Sequence, residues 1–213
     1  MYKFLLFLIF MISLGTMVVW GTHSYFFANQ QPLISYGEKI NDDDFKDRVV
    51  VLLEESVVGS IDDSIYLINV VKAYQDKKIS KIVVSGQKKN SGENRVLAIM
   101  DYFIARGVLE ADLYPDFYSA DPYHTCRRLH EVFSISKVLF VTDHFRAQQA
   151  LFACQYLGKI DVKAWAWPAD KNLGSFFDTF TSELGVLADV HLSAPEVYLE
   201  DRPVNIFAKL YPY

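Results

Sequence analysis

Four short tracts bring together side chains that can do chemistry: Glu54-Glu55-Ser56, Ser85-Gly86, Asp121-Pro122-Tyr123-His124 and Thr142-Asp143-His144-Phe145-Arg146. A histidine beside a carboxylate can act as a general base or a metal ligand. His124 stands near Asp121, and His144 directly follows Asp143. Arg146 adds a cation suited to an anionic ligand. The same tracts set limits. No HExxH-like spacing is present, so no metal is expected. Ser85 lacks the pattern of a nucleophile elbow, and its hydroxyl reads as the cap of a following turn or helix. His124 reads as a solvated histidine at a helix start, Glu54-Glu55 as solvated carboxylates, and Arg127-Arg128 as one surface and one paired arginine. No cofactor follows from these residues.

The elements that must hold the tracts are legible from periodicity. Val49-Val50-Val51-Leu52-Leu53 is a continuous apolar run of the kind buried on both faces of a parallel sheet. Ile61, Ile65, Ile68 and Val71 recur at helical spacing, which predicts a helix over 62–77 capped by Asp62 or Asp63. A strand at 81–85 leads to a helix over 94–106, with Leu97, Ile99, Met100 and Phe103 inward and Gly107 as its stop. A short strand opens at Leu113-Tyr114, and a helix over 122–133 is entered at Asp121-Pro122. A strand at 138–142, a helix at 146–157 closed by Gly158, a strand at 162–167 and a helix at 173–187 complete the pattern. Five strands alternating with helices predict an α/β fold, a Rossmann-like parallel sheet with helices on both faces. In such a fold ligands bind beyond the C-terminal ends of the strands, and each tract lies just after one.

Composition narrows the class. The formal net charge of −5, with no basic stripe, excludes a nucleic-acid partner. From Phe4 to Thr22 no residue is charged. At about 1.5 Å per residue that run nearly matches a hydrocarbon layer of about 30 Å. Trp20, Tyr25, Phe26 and Phe27 suit the headgroup region. Residues 1–27 therefore read as a transmembrane anchor, 28–47 as a polar juxtamembrane connector, and 48–213 as one domain. A cleaved signal peptide is the alternative, although bulky Val18-Val19-Trp20 suits it poorly. Lys3 and the free amine on the inner side put the domain outside the cytoplasm. Cys126 and Cys154 then invite a disulfide. Their expected places, early in one helix and late in the next parallel one, separate them beyond bonding range, so two buried free thiols are expected.

The order and spacing of several tracts resemble the SanA/YdcF/ElyC family of bacterial envelope proteins, its SanA-like members above all. The resemblance is carried by the N-terminal apolar run, Ala73-Tyr74, Lys81-Ile82-Val83-Val84-Ser85-Gly86, Gly107-Val108, Asp116, Val132-Phe133, Phe140-Val141-Thr142, Ala150-Leu151-Phe152 and Leu184-Gly185-Val186-Leu187-Ala188-Asp189. It implies a Rossmann-like domain at the periplasmic face of the inner membrane, acting in envelope barrier function. The resemblance also marks departures. Glu54-Glu55-Ser56 replaces the family's Gly-rich turn, Tyr66 replaces an Arg, Asp121-Pro122-Tyr123-His124 replaces an Arg-Thr-x-Asp segment, and Gln149 replaces a second Arg. Ser85, Gly86 and Thr142 are kept, and Asn94 matches a family Asn. The ligand-binding candidates are Ser85, Gly86, Asn94, His124, Thr142, Asp143, His144 and Arg146. With the charged family positions changed, the reading is a domain that binds an envelope lipid, a glycan precursor or a protein partner. The rival is an enzyme on a phosphorylated or lipid-linked precursor that uses His144, Asp143 and Arg146. A third class, a purely structural partner module, would use Trp165, Trp167 and the Tyr211-Pro212-Tyr213 tail, but tryptophans alternating in a strand read as core.

Overall fold

The computed structural model of the 213-residue chain describes residues 33–37, 40–87, 94–119 and 121–168, with isolated positions between 4 and 24 and at 185 and 188. Most of the expected anchor, the helix expected at 173–187 and the aromatic tail lie outside the described residues. Among the described residues no helix is long and apolar enough to cross a membrane. Phe4, Phe7, Phe10, Met11, Leu14 and Met17, which are described, are helical and exposed.

The strands are β1 (Ile34–Tyr36), β2 (Val49–Leu53), β3 (Ile82–Ser85), β4 (Leu113–Asp116), β5 (Lys137–Asp143) and β6 (Asp161–Trp167). They form one sheet in the order β1-β6-β5-β2-β3-β4, and every pairing is parallel. The helices are α1 (Asp42–Phe45), α2 (Ile65–Gln75), α3 (Arg95–Ala105), α4 (Pro122–Glu131) and α5 (His144–Leu157). Alternation along the strands splits the core in two. Val49, Val51, Val138 and Phe140 face α4 and α5, whereas Val50, Leu52, Leu139 and Val141 face α2 and α3. The chain runs outward from β2 to β4, returns to β5 and continues the other way to β6. Right-handed crossovers then put the helices of the two directions on opposite faces. The α/β parallel sheet flanked on both faces is as expected.

Three expectations are corrected. Among the described residues the sheet has six strands, because Ile34–Tyr36, within the stretch read as connector, pairs with Ala164, Trp165 and Ala166 of β6. A three-residue strand in a polar stretch leaves no periodic signal. It is held by side chains instead: Ser35 Oγ donates to Asp44 at 2.8 Å, Lys163 Nζ reaches Asp44 at 2.6 Å, and Trp165 Nε1 donates to the Gly37 carbonyl at 2.7 Å. Trp165 is core, as expected, and Trp167 packs edge-on against Tyr66 with ring centroids 5.3 Å apart.

The inward faces of α2 and α3 are corrected in part, since Ile99 and Phe103 are buried and Met100 packs against the core as expected. Ile65, Ile68 and Leu97 point outward, each 46% exposed, and Leu67, Val70, Val71 and Ala73 face the sheet. Two apolar stripes compete on α2. The Leu67-Val70-Val71-Tyr74 stripe runs the length of the helix, while the Ile61-Ile65-Ile68 stripe continues into exposed Lys72 and Gln75.

The third correction is the cysteine pair. Cys126 of α4 and Cys154 of α5 form a disulfide with Cα atoms 5.1 Å apart. Cys126 sits in the middle of α4 rather than near its start, and with the Cα atoms this close the expected axial offset is absent. Cys126 Sγ lies 3.5 Å from the Ala150 carbonyl oxygen, and Ala147, Ala150 and Ala153 are small buried side chains on α5, beside the bulkier Leu151 and Phe152.

Candidate functional site

The direction of winding reverses between neighbouring strands β2 and β5, so the crevice beyond their C-terminal ends is where this fold binds ligands. The segment after β2 is a single tight turn over Glu54–Ser56. After β5 there is no loop at all. Asp143 is at once the last strand residue and the N-cap of α5, its Oδ1 accepting the N–H groups of Phe145 and Arg146 at 3.0 Å each. The helix therefore begins at His144, earlier than the expected 146, because a strong capping carboxylate sits directly at the strand end.

These two segments close on each other. Ser56 Oγ and Thr142 Oγ1 are 2.5 Å apart and both are buried. Arg146 turns back onto the other oxygen of Asp143 and lies 3.6 Å from Glu55. Burial works against the guanidinium charge, but Asp143 and Glu55 outweigh it and raise its pKa. His144 Nδ1 is 2.7 Å from the Tyr36 hydroxyl, which ties edge strand β1 to the start of α5.

The β3–β4 half of the edge is built on strand register. Leu53, Ser85 and Asp116 form one row across β2, β3 and β4. Asp116 is buried and receives Arg128 Nε at 2.8 Å, Ser85 Oγ at 3.1 Å, the Tyr118 N–H at 3.3 Å and the Ser119 hydroxyl. Arg128 is itself fully buried, so it is the paired arginine, while Arg127 pairs with Glu131 at 3.2 Å on the helix surface. Ser85 Oγ is also 3.3 Å from Thr125 Oγ1 of α4. Glu54, expected to be solvated, is only 4% exposed. It folds over Gly86 and accepts the Gln87 N–H at 3.3 Å. Asp121 caps α4, accepting the His124 N–H at 2.8 Å, and its second oxygen lies 2.6 Å from His124 Nδ1. Burial raises the Asp121 pKa, but the bonds from His124 prevail and hold it below the usual carboxylate value. Asn94 caps α3 by accepting the Leu97 N–H at 3.4 Å.

The structure thus brings Thr142, Asp143, His144 and Arg146 together with Ser56, Glu55 and Tyr36, and gathers Ser85 with Asp116, Ser119, Thr125 and Arg128. His124 is engaged with Asp121 on α4, and Asn94 stands apart as a helix cap. Tyr36, Ser119, Thr125 and the depth of Glu54 were missed. Only Asp116 left a signal, as a carboxylate at a strand end. Chemically, Asp143 has both oxygens committed to capping and to Arg146, which leaves it poorly placed as a base. Among the described residues no group of three or more His, Cys, Asp or Glu is placed to hold a metal ion. No protein-family model matches the chain, and no solved structure matches it.

Proposed function

We propose that the chain is a membrane-anchored, SanA-like domain on the periplasmic side of the inner membrane. It supports envelope barrier integrity by binding an envelope lipid, a glycan precursor or a protein partner rather than by turnover. The observation that carries this reading is the self-satisfaction of the C-terminal edge. Asp143 is spent on the α5 cap and Arg146, His144 on Tyr36, His124 on Asp121, and Glu54 fills the space above Gly86. General acid–base catalysis needs a group within reach of a substrate proton, and these groups are turned to one another. The buried disulfide favours an oxidising compartment. The exposed apolar helical positions near the N-terminus favour a lipid neighbour.

The test is complementation of a null strain, scored by exclusion of a bulky polar antibiotic, with a C-terminal reporter for compartment. His144→Ala and His124→Ala should be exported and should restore the barrier to within about twofold of wild type. Loss of the barrier by either variant, with the protein folded and exported, would favour the enzyme reading. A reporter active only in the cytoplasm would sink the topology.

A further inference from the structure

Helix α4 packs on α5 and the sheet through buried side chains and one covalent bond. It is short, and isolated helices under about 12–15 residues are marginal. Its buried apolar side chains are Pro122, Tyr123, Cys126 and Leu129, and its other buried residues are Thr125 and Arg128. The Arg128–Asp116 pair adds little net stability once both charges are desolvated. The wholly buried Cys126–Cys154 bond joins the two helices covalently. Yet α4 supplies much of the β3–β4 half of the candidate edge: Thr125 on Ser85, Arg128 on Asp116, and the Asp121–His124 pair at its start.

We propose that this disulfide is a redox latch on the candidate edge. When it is closed, α4 is fixed against α5 and the Ser85–Asp116–Arg128 network is assembled. When it is reduced, α4 loosens while the sheet and the α2–α3 layer keep their structure. Closing is a two-electron oxidation. Two thiols lose two protons and two electrons to the disulfide of a thiol–disulfide oxidant, which becomes a dithiol by way of a mixed disulfide. Only the whereabouts of that oxidant rests on the compartment proposed above; the latch itself does not. Because neither sulfur is exposed, reductant gains access only when the α4–α5 layer opens.

Hydrogen exchange on the purified full-length chain in detergent, oxidised and reduced, tests the latch. On reduction the amides of 122–131 should exchange at least about tenfold faster, with those of β2, β3 and α2 unchanged. For a separation of 28 residues the melting midpoint should fall by on the order of 10 °C. The double variant Cys126→Ala, Cys154→Ala should reproduce both changes without reductant. Unchanged exchange in α4, acceleration spread evenly over the sheet, or complete unfolding of the reduced chain would each overturn the proposal. Selective loosening of α4 in a chain whose reporter is cytoplasmic would uphold the latch and remove only the compartment.

Discussion

Glu54 and Gly86 share one volume. A Cβ on Gly86 would lie 2.4 Å from both Cγ and Cδ of Glu54, well inside contact distance. The clash runs from Cγ to the carboxylate of a buried side chain, with Oε2 at 2.8 Å, so Glu54 swings aside only by giving up its bond from the Gln87 N–H. Gly86→Ala should therefore destabilise the domain by about 1–3 kcal/mol, the usual cost of overpacking. Glu54→Ala in the same chain should relieve most of that strain, giving a coupling of about 1–2 kcal/mol in a double-mutant cycle followed by urea denaturation. Additive effects would mean that the two residues do not compete for space.

At the scale of elements, the strands were legible because a parallel sheet buried on both faces demands unbroken apolar runs such as Val49–Leu53 and Val138–Val141. The helix ends at Gly107 and Gly158 were legible too, since both glycines adopt positive φ. The faces of α2 were not, because two apolar stripes overlap and only the sheet decides between them. The site was half legible. The tracts fall on the expected edge, but which carboxylate meets which cation depends on register and helix phase, as with Asp116 and Arg128 across β4 and α4. Helix α4 offers a test through its cap. The Asp121 pKa lies below 3.8 because the bonds from His124 outweigh burial. As the pH falls, the unfolded chain takes up this proton first. The stabilisation from Asp121 is thus complete well above pH 4 and is lost as the pH drops through the folded-state pKa. Asp121→Asn keeps an acceptor but cannot titrate. It should lower stability by about 1 kcal/mol at neutral pH and show a shallower loss below about pH 4 than wild type. Equal acid slopes in urea titrations would remove Asp121 from the acid-sensitive groups.

For the whole molecule, the decisive question is where the domain begins. A connector can be cut without consequence, whereas an edge strand cannot. β1 covers β6 along Ala164–Ala166, Tyr36 reaches His144 at the start of α5, and Asp44 gathers Ser35 and Lys163 at the base. Burial of Asp44 raises its pKa, but the bonds from Lys163 and Ser35 outweigh this and leave it lowered, as expected for a carboxylate stabilised by its partners. A chain beginning at Tyr25 keeps all of these contacts, and one beginning at Asn41 loses every contact made by β1. The shorter chain would expose the N–H and C=O groups of β6, and an uncovered strand edge invites pairing between molecules. The chain from Tyr25 should be monomeric by light scattering and melt cooperatively. The chain from Asn41 should melt about 10 °C lower or more and self-associate with rising concentration. Trp165 loses its acceptor at Gly37 in the shorter chain, so its fluorescence should shift to the red as solvent reaches the ring. If both chains melt at the same temperature and remain monomeric, β1 contributes nothing to the sheet, and the domain begins at β2.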